Sequence, residues 1–583
     1  MPGPYSVKFN FDLPLKMRDG TTLYADVFRP DTSDSVPALL QRTPYDKSSP
    51  TSRTGTLDAV RAAMNGYAVV IQDVRGRYAS EGEFYTFMNE INDGSDTIEW
   101  LAGQPWCSGS VGMYGVSYVG ATQWLAAKSG VSQLKGIAPG VTASDYHEGW
   151  AWQGGAFELG FNLSWAIGAL TTANWGNLSR RLSLDGGGLD KIIEAKDNLS
   201  DGFYHLPMKD MPHLKDGLAS YYYHWLEHPE YDDYWKSISI EESHSDIGVP
   251  SFNFGGWYDI FLGGTIRNFS RMREMGGTDL SRKGQRLTLG PWVHGGSPLS
   301  VSGLHNFGTR SSSLAQDLQG RMLRYYDYVL KGEDNGFLDD KPVRIFVMGE
   351  DVWRDEDEWP LSRAVDTKYH LRSGGNANTL NGDGRLSTES PNEESPDVYV
   401  YNPLLPVPTS GGGLCCDPGF MAAGAFDQRP GETRHDVLVY STPPLDRDTE
   451  VTGPVTVTLF ASTSAADTDF TGKLVDVDPS GYARNLTDGI IRARYRVPRA
   501  AADPITPGNV YEYTIDLWAT SNLFKKGHQI RLEISSSNFP RFDRNTNTGE
   551  QIGTDGNFVS ALQTIFHTPQ YPSHVTLPIV PRD

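Results

Sequence analysis

The sequence has few cysteines, no long apolar run and no excess of positive charge. Three cysteines occur in 583 residues, namely Cys107 and the adjacent pair Cys415 and Cys416. So small a number excludes a disulfide framework, and their positions offer no spaced set of metal ligands. We therefore predict reduced thiols at all three positions.

The missing apolar runs and the missing positive charge exclude two classes of partner. No stretch approaches the ~20 apolar residues that a membrane-spanning helix needs. The formal net charge is −21 at pH 7, which opposes binding to nucleic acid or to anionic membranes. The N-terminus lacks the basic start and apolar core of an export signal. We therefore expect a cytoplasmic protein with neither a nucleic-acid nor a membrane partner.

What is present is the composition of a globular protein with several domains. Hydrophobic residues make up 38% and charged residues 21% of the chain. Short apolar runs alternate with helix-length segments over residues 1–143 and again over 246–350, which predicts an α/β domain with a parallel sheet. Residues 144–245 are rich in aromatics and predict a mostly helical insertion. Short alternating strands over 351–583 predict an antiparallel jelly roll or sandwich.

One short stretch, VGMYGVSYVGATQWLAA, places Ser117 between an apolar run and a helix-like segment. This is the order of strand, tight turn and helix in a nucleophile elbow. The turn strains the serine backbone and needs small neighbours, which Gly115 and Gly120 supply. With 62 glycines in the chain, a chance match is expected roughly once. A serine in an ordinary glycine-rich loop is therefore the alternative.

A serine nucleophile needs a histidine base and an acid that orients the base. The stretch SFNFGGWYDIF places Asp259 just past an apolar run, and LTLGPWVHGG places His294 just past the next one. Both positions are strand-end loops in the chain order of an α/β-hydrolase triad. We predict that Asp259 and His294 act together; for Asp259, capping of the following turn is the alternative.

An oxyanion hole needs two hydrogen-bond donors aimed at the developing negative charge. The backbone N–H of Tyr118 follows from the elbow. The second donor usually comes from the loop after an early strand, which here is LLQRTPYDKSS. Tyr45 in this loop could offer its hydroxyl, with simple packing as the alternative.

Several long stretches occur in an order that resembles the bacterial cocaine esterase family, which is related to Xaa-Pro dipeptidyl-peptidases and α-amino-acid ester hydrolases. They include MRDGTTLYADVFRP, VVIQDVRGRYASEGEF, WCSGSVGMYGVSYVGATQW, GWYDIF, GPWVH and SSSNFPRFDRNTNTG. The resemblance runs through nearly the whole chain. It implies an α/β-hydrolase core, an inserted helical cap and a C-terminal jelly-roll domain. It also implies Ser117 as nucleophile, His294 as base, Asp259 as its partner, and Tyr45 with Tyr118 as oxyanion donors.

The resemblance also implies an acyl pocket. Trp150, Trp165 and Phe261 match aromatic residues that line this pocket in the family. One departure is the stretch GGGLCCDPGF, where Cys415 and Cys416 replace bulky apolar residues. Smaller side chains imply a roomier or differently shaped pocket. We predict two free thiols in its wall, with a strained vicinal disulfide as the alternative.

Together these residues predict a serine hydrolase that cleaves carboxylic esters through an acyl-enzyme. The chemistry needs no metal or organic cofactor. The expected partner is a small-molecule ester or amide, and a homodimer is left open. On the same triad, the alternatives are an Xaa-Pro dipeptidyl-peptidase and an acylase of β-lactam side chains. From a different class, the alternative is a carbohydrate-binding role of the jelly-roll domain.

Overall fold

The chain forms two large sheets, with helices around the first. The computed structural model describes residues 4–184 and 187–582. The strands are β1 (Val7–Lys16), β2 (Thr22–Pro30), β3 (Val36–Thr43), β4 (Ala68–Asp73), β5 (Cys107–Val116), β6 (Leu134–Gly140), β7 (Trp152–Gln153), β8 (Ala156–Phe157), β9 (Phe252–Tyr258), β10 (Arg286–Val293), β11 (Val301–Ser302), β12 (His305–Asn306), β13 (Val343–Val347), β14 (Val352–Glu356), β15 (Val365–Arg372), β16 (Arg385–Ser387), β17 (Asp397–Tyr401), β18 (Leu438–Ser441), β19 (Thr449–Thr463), β20 (Asp469–Val477), β21 (Ala483–Arg492), β22 (Tyr511–Phe524), β23 (Gln529–Ser535), β24 (Ala561–Phe566) and β25 (His574–Val580).

The helices cluster in the first two thirds of the chain. They are α1 (Pro50–Thr54), α2 (Ala59–Met64), α3 (Glu90–Ala102), α4 (Tyr118–Lys128), α5 (Leu159–Ser164), α6 (Trp175–Leu182), α7 (Gly187–Asp197), α8 (Leu199–Tyr204), α9 (Ser220–Glu227), α10 (Asp233–Ile238), α11 (Leu262–Met275), α12 (Asp279–Lys283), α13 (Leu318–Lys331) and α14 (Arg429–Glu432). A π-helical segment, Trp165–Thr171, continues α5.

The first sheet is mixed. Its strand order within the described residues is β1-β2-β4-β3-β5-β6-β9-β10-β13-β14. The strands from β4 to β13 in this order run parallel, whereas β1, β2 and β14 are antiparallel at the two edges. The parallel strands are mostly apolar because helices cover both faces of the sheet.

The period of two along each strand sends neighbouring residues to opposite faces of this sheet. On β4, Val70 belongs to the apolar cluster that includes Ile98 of α3 and Trp124 of α4. The preceding residue, Val69, belongs to the cluster that includes Ala62 of α2 and Met322 of α13. The sheet is therefore a buried layer between two helical layers.

The segment between β6 and β9 leaves the first sheet and consists mainly of α5 to α10, as the aromatic-rich sequence predicts. It also contains the small β7–β8 hairpin. The boundaries 144–245 of this cap stay a prediction. Residues 185–186 of it, and residues 1–3 and 583 of the flanking domains, lie outside the described residues.

The second sheet belongs to the C-terminal domain. Within the described residues it has the order β17-β24-β19-β25-β15-β16-β18-β23-β20-β21, with β22 paired to β19. It contacts both other parts of the chain: the Tyr258 hydroxyl of the core donates to the Asn485 carbonyl at 3.0 Å, and the cap Gly160 N–H donates to the Pro540 carbonyl at 2.8 Å. The predicted fold class, an α/β core with a helical insertion and a C-terminal β domain, is confirmed.

The parallel strands determine where chemistry can occur. The carboxyl ends of β5, β9 and β10 meet at one edge of the sheet, and Ser117, Asp259 and His294 follow these ends directly. Strand β3 pairs with β5, so the loop that carries Tyr45 leaves the sheet at the same edge.

Candidate active site

Ser117 lies on a sharp turn between β5 and α4. Its backbone has φ 61° and ψ −128°, a combination that residues with a side chain rarely adopt. The Ser117 N–H donates to the Gly140 carbonyl at 3.0 Å, and the Ser117 carbonyl accepts from Gly120 and Ala121 at 2.8 and 3.0 Å. These hydrogen bonds hold the turn between the neighbouring strand β6 and the first turn of α4.

The two glycines of this turn are required by close packing. A Cβ atom on Gly115 would lie 2.2 Å from Cγ1 of Val119, and Gly115 has φ 140°. A Cβ atom on Gly120 would lie 2.8 Å from Cβ of Thr142. Many serine turns of this kind have a glycine two residues after the serine, where this chain has Val119. The valine side chain fits here because Gly115, on the other side of the turn, has no side chain.

His294 and Asp259 form a buried pair at the same edge of the sheet. The Nδ1–H of His294 donates to Oδ2 of Asp259 at 2.8 Å, and the Asp259 side chain is 0% exposed. The other carboxylate oxygen, Oδ1, accepts the Phe261 N–H at 2.7 Å. Asp259 thus both caps the following turn and orients the imidazole, which leaves Nε2 of His294 as the ring atom free to accept a proton.

The Ser117 hydroxyl faces Tyr45 in this structure. Within the described residues, no hydrogen bond joins it to His294. Burial raises the pKa of Tyr45 to about 12, while hydrogen bonding from Trp165 and Ser117 and the charge of Arg77 lower it. The Trp165 Nε1–H donates to the Tyr45 oxygen at 3.0 Å. The phenol therefore keeps its own proton at neutral pH, as a hydrogen-bond donor must.

Tyr118 contributes its backbone N–H to the site, whereas its side-chain hydroxyl is bound by other residues. Its hydroxyl donates to Oε1 of Glu90 at 3.0 Å and accepts the Phe87 N–H at 2.9 Å. Glu90 is in turn paired with Arg42 at 2.5 Å. Since Tyr118 is the first residue of α4, its N–H has no acceptor within the helix. This N–H is available next to the serine.

Aromatic rings surround the space beside His294. Trp150 and Phe261 are stacked with ring centroids 4.2 Å apart, and the Trp165 ring lies 5.5 Å from that of Trp150. The Phe261 ring lies 5.2 Å from the His294 ring. Phe161 stacks on Trp165 at 5.4 Å. The structure therefore brings the three predicted pocket aromatics together and adds Phe161.

The two adjacent cysteines are joined. The structure contains a disulfide between Cys415 and Cys416, so the prediction of free thiols is wrong for this pair. Cysteine number and spacing bear on bridges between distant segments, whereas adjacent residues need no chain segment to bring their side chains together. Cys107 is free, as predicted, and the structure shows that it is buried.

The loop that carries this disulfide reaches the site from the C-terminal domain. A Cβ atom on Gly413 would lie 3.0 Å from the carbonyl oxygen of Asp259. Cys415 is 4% exposed and belongs to the apolar cluster that contains Trp150 and Phe261. The structure thus places Cys415 in the same apolar core as these rings; a roomier pocket stays a prediction.

Sequence reasoning missed two residues next to the predicted site. Phe161 precedes Trp165 by four residues, so the i, i+4 spacing on a helix was the signal that could have identified it. Arg77 follows β4 in the glycine-containing stretch DVRGRYASEG and is fully buried. The signal that could have identified Arg77 was its position, as a charged residue in the loop after a buried strand of the parallel sheet.

The described residues contain neither of two other kinds of feature. No group of three or more His, Cys, Asp and Glu side chains among them is placed to hold a metal ion. None of the helices in residues 4–184 and 187–582 has the length and hydropathy needed to cross a bilayer.

Comparisons with known proteins agree with this architecture. Residues 19–296 match the family described as X-Pro dipeptidyl-peptidase (S15 family). Residues 335–576 match the X-Pro dipeptidyl-peptidase C-terminal non-catalytic domain. The parallel sheet, the helical insertion and the C-terminal β domain define the protein as an α/β-hydrolase.

Similarity to individual proteins identifies a family within the α/β-hydrolases. The chain is 40% identical over 590 residues to the cocaine esterase of Rhodococcus sp. (strain MB1 Bresler), with 100% of both chains covered. It therefore belongs to the cocaine esterase family and is a carboxylic ester hydrolase. Two solved structures share the whole architecture with TM-scores of 0.79, each covering 99% of this chain and 97% of the other. They are an aminopeptidase from a marine sediment archaeon, Thaumarchaeota archaeon (26% identity), and an α-amino acid ester hydrolase (25% identity).

The packing at the elbow predicts the effect of adding one methyl group. Gly115→Ala should destabilise the protein by about 2–4 kcal/mol, because a positive φ and a clash with Val119 act together. Gly109 is the matched control, since it has φ 88° on the same strand but open space around its Cβ position. Gly109→Ala should lower the midpoint of thermal unfolding less than Gly115→Ala does. Adding Val119→Ala should restore part of the loss, and equal midpoints for both single variants would contradict the packing argument.

Proposed function

We propose that this protein hydrolyses carboxylic esters through an acyl-enzyme formed on Ser117. His294 acts as the base and Asp259 as its partner. The Tyr45 hydroxyl and the Tyr118 N–H bind the oxyanion. The observation that carries the proposal is the strained serine turn at the same sheet edge as a buried His294–Asp259 hydrogen bond of 2.8 Å.

Acylation begins when the Ser117 oxygen attacks the ester carbonyl carbon and His294 Nε2 takes the serine proton. Asp259 stabilises the imidazolium through the hydrogen bond to Nδ1. The negative charge moves to the former carbonyl oxygen, where the two tyrosine donors meet it. The tetrahedral intermediate then collapses, and the imidazolium returns its proton to the leaving alcohol.

Deacylation repeats these steps with water. The water oxygen attacks the acyl carbon while His294 accepts a proton from that water. The Tyr45 hydroxyl and the Tyr118 N–H stabilise the second oxyanion. The bond to Ser117 breaks, and the imidazolium protonates the serine oxygen. The pKa of Tyr45, raised to about 12, keeps its proton in place through both halves of the cycle over the neutral pH range.

The surroundings of the serine favour an ester with an apolar acyl group. Trp150, Trp165 and Phe261 present ring faces and edges beside His294. An apolar acyl group there gains about 25 cal/mol for each Å² removed from water. The rings are already buried, so the acyl group beside them loses contact with water, which strengthens the hydrogen bonds at the oxyanion.

The acids near these rings argue against a substrate held by its amine. Between residues 144 and 165 the acids are Asp145, Glu148 and Glu158. Asp145 pairs with Arg499 at 3.0 Å, and Glu148 accepts the Gly154 N–H. Burial raises the pKa of Glu158 to about 8, which leaves it a weak anion. An ester without an ammonium group is therefore the better substrate class.

A substrate panel tests ester against amide hydrolysis. We expect turnover of p-nitrophenyl acetate, butyrate and benzoate with kcat/KM at least 10²-fold above that for Gly-Pro-p-nitroanilide, because the three acids between residues 144 and 165 are paired with an arginine, hydrogen-bonded to a backbone N–H or held weakly ionised by burial. The release of p-nitrophenol or p-nitroaniline is followed by absorbance. Faster cleavage of the anilide would favour the Xaa-Pro dipeptidyl-peptidase function, and preference for D-phenylglycine methyl ester over methyl phenylacetate would favour the acylase function.

The nucleophile is tested by covalent labelling. A fluorophosphonate should add one phosphonyl group to the wild-type protein, detected by intact mass and mapped by peptide sequencing to Ser117. Ser117→Ala should abolish the adduct and lower kcat by roughly 10⁴ to 10⁶. Ser110, also on β5, supplies the matched Ser110→Ala control. An adduct at another residue would remove Ser117 from its assigned role.

The oxyanion donor is tested by removing one oxygen atom. Tyr45→Phe keeps the ring and should lower kcat by about 10² to 10³ because one of two donors to the transition state is lost. The KM should change little, since the donor acts mainly in the transition state. A kcat within threefold of wild type would reduce Tyr45 to a packing residue.

A further inference from the structure

Arg77 is a buried cation at the catalytic edge of the sheet. Its exposure is 0%. The guanidinium donates Nε–H to the Pro44 carbonyl at 2.7 Å and Nη2–H to the Ala169 carbonyl at 2.9 Å, and it also donates to the Leu170 carbonyl. Among the described residues, no carboxylate oxygen lies within 4.0 Å of it. A buried charge without an ionic partner is costly to keep.

The acceptors of Arg77 lie on two segments that meet at Tyr45. Pro44 directly precedes Tyr45 in the loop after β3. Ala169 and Leu170 end the π-helical segment that begins at Trp165. The Trp165 indole donates to the Tyr45 hydroxyl at 3.0 Å. Arg77 therefore joins the backbone of the Tyr45 loop to the same cap segment that holds the Tyr45 hydroxyl.

The charge of Arg77 acts in a space closed off from water. Its guanidinium lies over the rings of Tyr78 and Phe84, 5.2 Å from each centroid. Burial lowers the pKa of Arg77 from its ordinary value, but an arginine stays protonated in proteins. The charge lowers the pKa of Tyr45 against the larger effect of burial. Its field therefore reaches the Tyr45 hydroxyl oxygen.

We propose that Arg77 is a positioning residue of the oxyanion hole. It holds the Tyr45 loop against the cap, and its unpaired charge favours the negative charge that develops next to the Tyr45 hydroxyl. The proposal rests on the proposed function, in which Tyr45 is an oxyanion donor. A purely structural arginine would hold the same carbonyls but would have no effect specific to the transition state.

A double-mutant cycle separates these two roles. Arg77→Gln should lower kcat for p-nitrophenyl acetate by about 10²-fold, with KM within threefold, because the Tyr45 donor is misplaced and the charge is lost. In a Tyr45→Phe background, the same change should cost less than about fivefold, since residues that act together are not additive. Equal costs in both backgrounds would overturn the proposal.

A matched control removes another buried arginine. Arg286, the first residue of β10, donates to the Gln285 carbonyl at 2.8 Å and to the Phe337 carbonyl, and burial lowers its pKa to about 10. It lies at the opposite end of β10 from His294. Arg286→Gln should lower the midpoint of thermal unfolding and leave kcat within threefold. A loss of kcat as large as that of Arg77→Gln would show that the loss reflects general destabilisation.

A transition-state analogue measures the charge directly. Phenylboronic acid accepts the Ser117 oxygen to form a boron–oxygen bond, the serine proton passes to His294, and the boron becomes a tetrahedral anion. Arg77→Gln should raise its inhibition constant about 10 to 100-fold, whereas Arg77→Lys, which keeps the charge, should raise it less than about fivefold. Equal losses in both variants would refute the role of the charge.

The labelling experiment keeps this proposal distinct from the proposed function. If fluorophosphonate labels Ser117 in the wild type and the kinetic costs are additive, only the assignment of Arg77 fails. If Ser117 is not labelled in the wild type, the proposed function itself fails. Should Arg77→Gln not fold, Arg77→Met, which also removes the charge, supplies the same comparison in both Tyr45 backgrounds: a loss specific to the Tyr45 background supports the proposal, and an equal loss contradicts it.

Discussion

The backbone at Ser117 is the constraint on which the rest of the site depends. A φ of 61° on a serine is stable only where the neighbouring structure holds it. Here the carbonyl of Gly140 on β6 binds the serine N–H, and α4 starts at the next residue. The same turn exposes the serine side chain at the sheet edge and frees the Tyr118 N–H. Strand, turn and helix are thus one unit, and changing its packing changes the proposed nucleophile and one proposed oxyanion donor together.

The position of Tyr45, the second proposed oxyanion donor, depends on the cap. Tyr45 lies in a core loop, but its hydroxyl is bound by Trp165 of the cap, and the preceding carbonyl is bound by Arg77. The two contacts come from elements far apart in the chain, so the position of the hydroxyl reports how the cap sits on the core. The aromatic rings proposed to bind the acyl group have the same character, since Trp150 of the cap stacks on Phe261 of the core. Core and cap therefore form the site jointly.

The C-terminal domain also contacts the candidate site, through the loop that carries Gly413. Gly413 approaches the carbonyl of Asp259 so closely that a side chain would need the neighbouring backbone to give way. The loop continues into the Cys415–Cys416 disulfide at the edge of the aromatic cluster. The β domain thus packs against the backbone of Asp259, although its strands supply none of the proposed triad.

Local patterns in the sequence were sufficient to predict the turn at Ser117 and the two loops that follow β9 and β10. The glycine at position 115 reflects a steric requirement that acts within the turn, where it faces Val119, and apolar runs before Asp259 and His294 mark buried parallel strands. The fold class follows from the same alternation of strands and helices. The disulfide was not predicted, because the orientation of two adjacent side chains depends on a turn that composition does not describe.

What the sequence by itself determined was the local unit: a strained serine turn, a parallel sheet and two polar residues at strand ends. Only the tertiary structure decided which carboxylate oxygen of Asp259 binds His294 and which aromatic rings lie beside that histidine. It also decided that Arg77 binds the carbonyl that precedes Tyr45, with no carboxylate partner among the described residues. These contacts join residues that are separated by tens to hundreds of positions. Their geometry follows from how strands, cap and β domain pack, and no short stretch of sequence carries that information.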